Sequence, residues 1–263
     1  MNDKVYNFKV SNSIYFKYDE LICESKCTYD IQLEKKWSNN NYRIELTQSN
    51  YKLNGESIDK KFEKIIQEYN SSLFPILFDR RENSFLLGNF SEIVERIKNT
   101  DTQLRSRHEG LGLELIRSTF LNIIKDGNKM AEHLFSFSVI KVLFFCIQEL
   151  GTNLNSKFQW DINTIDFTGW WKGKKVFDAD SNSINFNGEL YNTKEFTEKV
   201  KEYGLRYTIP FKIKDENLEV VSSLNHEIQY VTTGIDFETS ETKIDIKLGD
   251  FFEYYESLSL SRK

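Results

Sequence analysis

Two stretches of the chain repeat each other at an offset of 133 residues: WSNNNYRIELTQSNYKLNGE at Trp37–Glu56 and WWKGKKVFDADSNSINFNGE at Trp170–Glu189. A tryptophan opens each copy, an Asn-Gly-Glu triplet closes it, and apolar side chains between them keep equivalent places. Asparagine and glycine both adopt positive φ at low cost, so we predict one turn at Asn54-Gly55 and another at Asn187-Gly188.

The same order of patterns follows both copies. Three large side chains come first, spaced as on one helix face: Phe62, Ile66 and Tyr69 after the first copy, and Phe196, Val200 and Tyr203 after the second. The chain's two prolines, Pro75 and Pro210, come next, and each precedes a short apolar strand pattern. We therefore predict an α+β fold of two related antiparallel β-rich units, each a β-β-α-β-β repeat. The alternative is that two ordinary segments resemble each other by chance.

A helical insert separates the two copies. Apolar side chains recur at helical spacing from residue 92 to 124, the pattern breaks at 125–128, and a second helix is predicted over 130–150. That second helix is apolar almost all round, which is typical of a buried helix. We expect a buried helical hairpin between the units, with boundaries at 1–93, 94–150 and 151–263 in one compact body. A second copy of the chain could cover the 130–150 helix instead, which would make a homo-oligomer.

The C-terminal region has the alternation of an antiparallel meander. We predict inward side chains at Ile235 and Phe237, a turn over 238–241, and a following strand with Ile244, Ile246 and Leu248 inward. The intervening side chains are charged, so the opposite face of this strand is predicted to meet solvent.

Composition and charge exclude several classes of protein. The aromatic content of 14% argues against disorder, and the net charge of −5 gives no general attraction to nucleic acid. The longest apolar stretch, residues 134–147, contains Lys141 and is shorter than the ~20 residues of a spanning helix, so no membrane partner is predicted. The N-terminus has no apolar signal core, and the chain has only 3 cysteines. A reducing, cytoplasmic location is therefore expected.

The chain contains no established catalytic motif. It has no glycine-rich phosphate loop, nucleophile elbow or helical zinc signature, so we predict no catalytic residue, no metal and no cofactor. The best hydrolytic or metal-binding constellation is His108, Glu109, Glu114, Glu132 and His133. In a helical hairpin, however, His108 and His133 lie about 18 Å apart along the helix axis. His226-Glu227 is a second, weaker candidate.

Acidic side chains are concentrated near the C-terminus. Eleven acids lie between Asp215 and Glu256, and only Lys243 and Lys247 oppose them there. The simplest interpretation is that these acids cover solvated strand faces. The functional interpretation is a docking surface for a basic protein partner, with aromatic anchors beside the acids. Its predicted members are Asp236, Glu238, Glu241, Asp245, Asp250, Glu253, Tyr254, Tyr255, Trp170 and Trp171.

These observations favour a non-enzymatic protein-binding module. An inhibitor or immunity protein that neutralises a toxin fits this description, and so does an adaptor or chaperone of a secreted effector. One alternative is a hydrolase with a non-standard site around His108 and His133. The other is a carrier of an apolar ligand, which the many aromatic side chains suggest.

Overall fold

The computed structural model describes residues 3–38, 41–81, 84–148, 155–209, 219–231 and 236–263. Over these ranges the chain is an α+β fold with a large antiparallel sheet of eleven strands and with six α-helices. The strands are β1 (Lys4–Tyr18), β2 (Leu21–Ser38), β3 (Asn41–Leu53), β4 (Ile76–Arg81), β5 (Ser84–Leu87), β6 (Asn155–Ile162), β7 (Phe167–Asp178), β8 (Ser183–Leu190), β9 (Val220–Tyr230), β10 (Phe237–Leu248) and β11 (Phe252–Arg262). The helices are α1 (Lys61–Leu73), α2 (Phe90–Arg107), α3 (Leu111–Ile123), α4 (Gly127–Ser136), α5 (Ser138–Gln148) and α6 (Thr193–Arg206), and a 3₁₀ turn covers Asn163–Ile165.

The chain divides into two compact units. The first comprises Met1–Val10, Cys27–Phe137 and Arg262–Lys263, and the second comprises Ser11–Lys26 and Ser138–Ser261. The cuts fall within β1, β2 and β11 and between α4 and α5, whereas the sequence predicts boundaries at 93/94 and 150/151.

The first unit contains strands in the order β5-β4-β3-β2-β1 together with helices α1 to α4. The predicted turn at Asn54-Gly55 is confirmed, because φ is +52° at Asn54 and +84° at Gly55, and Leu53 and Glu56 exchange two backbone hydrogen bonds. Strand β4 begins directly after Pro75, as predicted.

Helix α1 was predicted correctly, but its buried face was not. Tyr69 is fully buried, whereas Phe62 and Ile66 are 55% and 41% exposed. The buried stripe is Ile65, Tyr69, Ser72 and Leu73. The ring of Phe62 lies over the Cα of Gly112 in α3, so this part of the predicted face covers a neighbouring helix end and not the core.

The second unit contains strands in the order β1-β11-β10-β9-β8-β7-β6 and helices α5 and α6. Side chains of its strands alternate between the two faces of the sheet, most regularly in β9, where Leu224, His226, Ile228 and Tyr230 are buried and the residues between them are exposed. Helix α5 lies against the buried face through Phe145, whose ring is 4.8 Å from that of His226, and α6 does so through Phe196, 5.4 Å from Phe252. The predicted inward positions of Ile244, Ile246 and Leu248 are confirmed.

Two predicted turns of the second unit are wrong. Asn187-Gly188 lies within β8, where Gly188 is opposite Gly173 of β7. A Cβ atom at Gly173 would collide with the backbone of Asn187, so glycine here serves a close strand approach and not a turn. Residues 238–241 belong to β10, which bulges between Phe237 and Thr239. Pro210, the strand pattern at 211–213 and Ile235 lie outside the described residues.

The predicted helix over 130–150 is two helices. A break is present where it was predicted, but it covers residues 124–126 and not 125–128, because Gly127 already begins α4. A second break occurs at Phe137, whose backbone is extended at φ −70° and ψ 120°. The next residue, Ser138, begins α5 and donates its hydroxyl to the carboxylate of Glu256 at 3.1 Å. The first residue of α5 is therefore bound to strand β11 by a side-chain hydrogen bond.

Candidate polar interface

The most distinctive polar surface of the second unit is the solvent-facing side of strands β7 to β11, which we call the outer face. Side chains that alternate with the buried ones project from it, as the cross-strand register fixes. Its central positions form three rows: Asn185, Glu227 and Glu241; Asn187, Asn225 and Lys243; and the pair Ser223 and Asp245.

The first two of these rows line a shallow depression of about 310 Å³. Its walls are the six side chains Asn185, Asn187, Asn225, Glu227, Glu241 and Lys243, and the backbone of His226 lies between them. We call these six side chains the polar grid. The register places Asn187 opposite Asn225, and Asn225 opposite Lys243. Amides supply both hydrogen-bond donors and acceptors, so the grid can bind polar groups of either kind.

Charges in the polar grid are unevenly compensated. Glu227 and Glu241 stand directly opposite each other on β9 and β10, an arrangement of like charges that costs stability. Lys243 forms an ion pair with Glu241 at 2.9 Å, and this hydrogen bond is the main cause of the raised pKa of Lys243. Glu227 also raises the pKa of Lys243, through a weaker electrostatic effect. The ammonium group of Lys243 therefore compensates the charges of two carboxylates, those of Glu241 and Glu227.

Aromatic side chains stand at two borders of the outer face. Trp170 on β7 is 44% exposed and Tyr255 on β11 is 37% exposed. Beside Trp170, the ammonium of Lys172 lies 3.3 Å from the ring centre of Tyr191. Partly exposed aromatic side chains that frame a polar region are typical of the anchor residues of protein interfaces.

The structure places five of the ten predicted partner-binding residues on the outer face: Glu241, Asp245, Glu253, Tyr255 and Trp170. Glu238 and Asp250 are exposed, and Asp236 is partly exposed just before β10. The other two, Tyr254 and Trp171, are 2% and 0% exposed, because each occupies an inward position of its strand. Neither offers a surface to a partner.

Lysines offset much of the acidic charge that the sequence concentrates here. Glu253 forms ion pairs with Lys17 at 3.0 Å and with Lys247 at 3.8 Å, and Lys17 comes from β1, far away in sequence. Glu256 belongs to the interior and not to the surface. The outer face is therefore a mixed-charge surface and not a uniformly acidic one.

Sequence reasoning missed the asparagines of the polar grid. Asparagine is depleted in strands, yet Asn185, Asn187 and Asn225 occupy solvent-facing strand positions. The available signal was the alternation of Asn185 and Asn187 with the apolar Ile184 and Phe186.

The predicted hydrolytic constellation is not assembled into a metal site. Within the described ranges no group of three or more His, Cys, Asp or Glu side chains could hold a metal ion. His133 is half-buried, with its ring centre 5.0 Å from that of Phe137 and 6.2 Å from that of Phe120, and desolvation lowers its pKa. His108 ends helix α2, and Glu114 forms an ion pair with Arg117.

His226 and Glu227 point to opposite sides of β9. His226 is 1% exposed, accepts or donates one hydrogen bond with Thr242 at 2.7 Å, and has aromatic neighbours in Phe145 and Phe158. Desolvation lowers its pKa to about 3. Because Glu227 faces solvent, the pair cannot act on one substrate atom.

A buried carboxylate lies on the opposite side of the same sheet. Glu256 is 2% exposed and accepts four hydrogen bonds: from Asn12 and Ser138 at 3.1 Å each on Oε1, and from Trp160 and Tyr254 at 2.7 Å each on Oε2. All four donors are neutral, and no ion pair joins Glu256 to another described residue. A carboxylate usually accepts about four hydrogen bonds, so this group has no capacity left for a substrate.

The fold and these contacts define the protein coarsely, as an α+β protein with a large antiparallel sheet and a polar outer face on its second unit. None of the described helices combines the length and the apolar character that crossing a bilayer requires.

Comparisons with known proteins add little to this description. No protein-family model and no curated protein matches the chain. Among solved structures, it is similar to lipovitellin, in a study described as "Lipid-protein interactions in lipovitellin", with a TM-score of 0.46 and 10% identity. The similarity covers 98% of this chain but only 25% of the lipovitellin chain, so this chain spans about a quarter of that length. At this TM-score it carries no argument for function.

Proposed function

We propose that the protein is a non-enzymatic protein-binding module and that the outer face of its second unit is the binding surface. The polar grid is the observation that carries this proposal. Six polar side chains are held in fixed register on three paired strands and line a shallow depression. A buried face that is packed by α5 and α6 supports these strands, so little conformational entropy is lost when a partner binds.

The dimensions of the outer face suit a protein better than a small molecule. Five strands at their usual spacing span about 19 Å, and the nine residues from Val221 to Gln229 extend about 27 Å. The resulting area of roughly 500 Å² is a large part of the ~800 Å² that each partner buries in a standard interface. Trp170 and Tyr255, at opposite borders, would act as anchors for such a partner.

The charges favour a partner that brings a basic side chain to the polar grid. Among the described residues, Glu227 interacts with Lys243 only at long range, while Lys243 itself forms an ion pair with Glu241. A guanidinium or ammonium group above Glu227 and Glu241 would relieve their mutual repulsion. An inhibitor or immunity protein of a toxin, or an adaptor or chaperone of a secreted effector, is the role that we propose for such a module.

The test is to fill the depression without disturbing the core. In Asn225→Arg, a long side chain replaces a short one at an exposed position, and we expect the recovery of a stoichiometric partner from the native host to fall at least about tenfold. Gln32→Arg on β2 of the first unit makes the same change in charge at another exposed strand position. Equal recovery by both variants, or no stoichiometric partner for the unmodified protein, would contradict the proposal.

We also infer that the two halves of the chain arose by duplication. Strands β1 to β5 are neighbours in sequence order, and so are β6 to β10. In each half a helix stands between the third and fourth strands, α1 in one and α6 in the other. Related sequences provide the test: separate alignments of residues 4–87 and 155–248 should match each other above shuffled controls, and a match no better than those controls would reject the duplication.

A further inference from the structure

Over the residues that the structure describes, the sheet ends at strands β5 and β6, and these two edges differ in length. A sheet edge presents unpaired backbone N–H and C=O groups, and natural proteins shorten, bend or cover such edges. Strand β5 has only 4 residues, whereas β6 has 8 and pairs with β7 over its whole length without a bulge. Strand β6 also contains no proline and no glycine. It is therefore the edge better suited to accept another strand.

The sequence of β6 is complementary to itself when it is reversed about Gln159. We propose that β6 is a docking strand for a second copy of this chain, in an antiparallel β6–β6 pair whose two-fold axis passes Gln159. In that register Lys157 lies opposite Asp161 of the second copy, and Phe158 lies opposite its Trp160. This pairing places opposite charges on one face of the joined sheet and aromatic pairs on the other.

The charges at this edge support the two-fold pairing. Lys157 is exposed, forms no ion pair with another described residue, and stands opposite Lys172 of β7, which is an unfavourable arrangement of like charges. Asp161 of a second copy would place a carboxylate beside Lys157. That carboxylate is only 15% exposed and already pairs with Lys141 at 2.6 Å and accepts from Thr168 at 2.7 Å, so Lys157 of the second copy would be its third partner, at the exposed part of the group.

The side chains on the buried face of β6 already have the positions that an added strand requires. Phe158 and Trp160 are buried and stacked, with ring centres 5.9 Å apart, so no apolar side chain of β6 has to reorient when another strand arrives. Cross-strand aromatic pairs stabilise antiparallel sheets. Seven paired residues bury less than a standard interface does, so we expect a dimer with micromolar affinity. This inference does not depend on the proposed partner surface, and it concerns a different contact from the one predicted through the 130–150 helix, which stays a prediction.

A single cysteine at the two-fold axis provides a direct test. Gln159 would face itself across a β6–β6 pair, at a Cα separation of about 4.5 to 5.5 Å that a disulfide can span. In a background in which Cys23, Cys27 and Cys146 are all replaced by serine, mild oxidation of Gln159→Cys should give a covalent dimer. Ser223→Cys, in the middle of the outer face, should remain monomeric. No covalent dimer of Gln159→Cys, or equal amounts from both variants, would overturn the proposal.

Sedimentation without any cross-link provides the second test. Gln159→Lys places two ammonium groups against each other at the axis, and the dimer dissociation constant should rise about fivefold at low salt. Gln229→Lys, which makes the same change at an exposed position of β9, should leave it unchanged. A chain that sediments as a monomer up to roughly 100 μM, or a dimer that Gln159→Lys does not weaken, would also overturn the proposal.

Discussion

The two units hold their buried carboxylates in different ways. In the first unit Asp101 is 8% exposed and accepts hydrogen bonds from Tyr69 at 2.7 Å and from Arg117 at 2.8 Å, so a cation balances its charge. In the second unit Glu256 is 2% exposed, and four neutral donors surround it. Burial of a charge is costly in both cases, but only Glu256 depends entirely on hydrogen bonds for compensation.

The difference follows from where the two carboxylates lie. Asp101 is on helix α2, near the surface, where the long side chain of Arg117 can reach it from α3 while remaining 25% exposed. Glu256 is on the inward side of β11, opposite Ile244 of β10. Short, rigid donors can be placed around such a site more easily than a solvated cation. We therefore expect Glu256 to be less tolerant of substitution than Asp101.

The largest expected effect is that of Glu256→Gln. The amide nitrogen of glutamine would replace one carboxylate oxygen, so the two hydrogen bonds on that side would have to reverse or be lost, and all four donors would lose a charged acceptor. We expect the free energy of unfolding to fall by about 3 to 5 kcal/mol. Urea denaturation measures this change, and Glu253→Gln on the solvent side of the same strand provides the control. A loss below about 1 kcal/mol would show that the four contacts do not hold a charged group.

The second prediction concerns the pH dependence of stability. His226 is neutral in the folded protein because desolvation lowers its pKa from 6.5 to about 3. The unfolded chain therefore binds a proton at this residue below pH 6.5 while the folded chain does not. Stability falls as the pH decreases from 6.5 towards 3, by up to about 1.4 kcal/mol per pH unit from this residue, and is unaffected by it above 6.5.

A matched pair of variants isolates the contribution of His226. Thr242→Val removes its hydrogen-bond partner, and the double variant His226→Leu, Thr242→Val then removes the imidazole. Between pH 6.5 and 4.5 the double variant should lose about 2 kcal/mol less than Thr242→Val alone. Parallel pH profiles of the two variants would mean that His226 is protonated in the folded state. His133, whose pKa is also lowered, is common to both variants and cancels.

The third prediction tests the carboxylate that a cation balances. Arg117→Met keeps the aliphatic length of the side chain but removes both the ion pair with Asp101 and that with Glu114. Because Asp101 still accepts from Tyr69 and lies close to solvent, we expect a loss of about 1 to 2 kcal/mol, below that of Glu256→Gln. A double-mutant cycle with Tyr69→Phe measures the coupling. A loss as large as that of Glu256→Gln would remove the distinction between the units.

Residue patterns predicted the positions of helices and turns better than they predicted which neighbouring elements those segments contact. Asn54-Gly55 and Asn187-Gly188 are the same dipeptide, yet only the first is a turn. The second is held in β8 because β7 pairs along it and Gly173 gives it room, which is a long-range effect that local propensity does not contain. Likewise, helix α1 was predictable from its spacing, but the direction of Phe62 depends on helix α3.

The site was predictable only in part, for a related reason. Alternation placed Ile244, Ile246 and Leu248 inward, and therefore placed Glu241 and Asp245 on the solvent side. The same alternation along β11 contained the signal that Glu256 and Tyr254 face inward with Phe252, although acidic character suggested a surface. The polar grid could not be assembled in advance, because it joins three strands whose register only the fold determines.

The smallest expected change in the free energy of unfolding is that of Lys243→Gln, which tests an exposed carboxylate, Glu241. Glu241 and Lys243 form an ion pair at 2.9 Å, but their side chains are 46% and 47% exposed, so water competes for both groups. Lys243→Gln should therefore change the free energy of unfolding by less than about 0.5 kcal/mol. In contrast to its small effect on stability, Lys243→Gln should have a large effect on the recovery of the partner, because Lys243 is the only cation of the polar grid. If Lys243→Gln instead destabilises the protein as much as Arg117→Met does, then Lys243 offsets the repulsion between Glu227 and Glu241 more strongly than a solvated ion pair can. The main role of the polar grid would then be to stabilise the sheet and not to bind a partner.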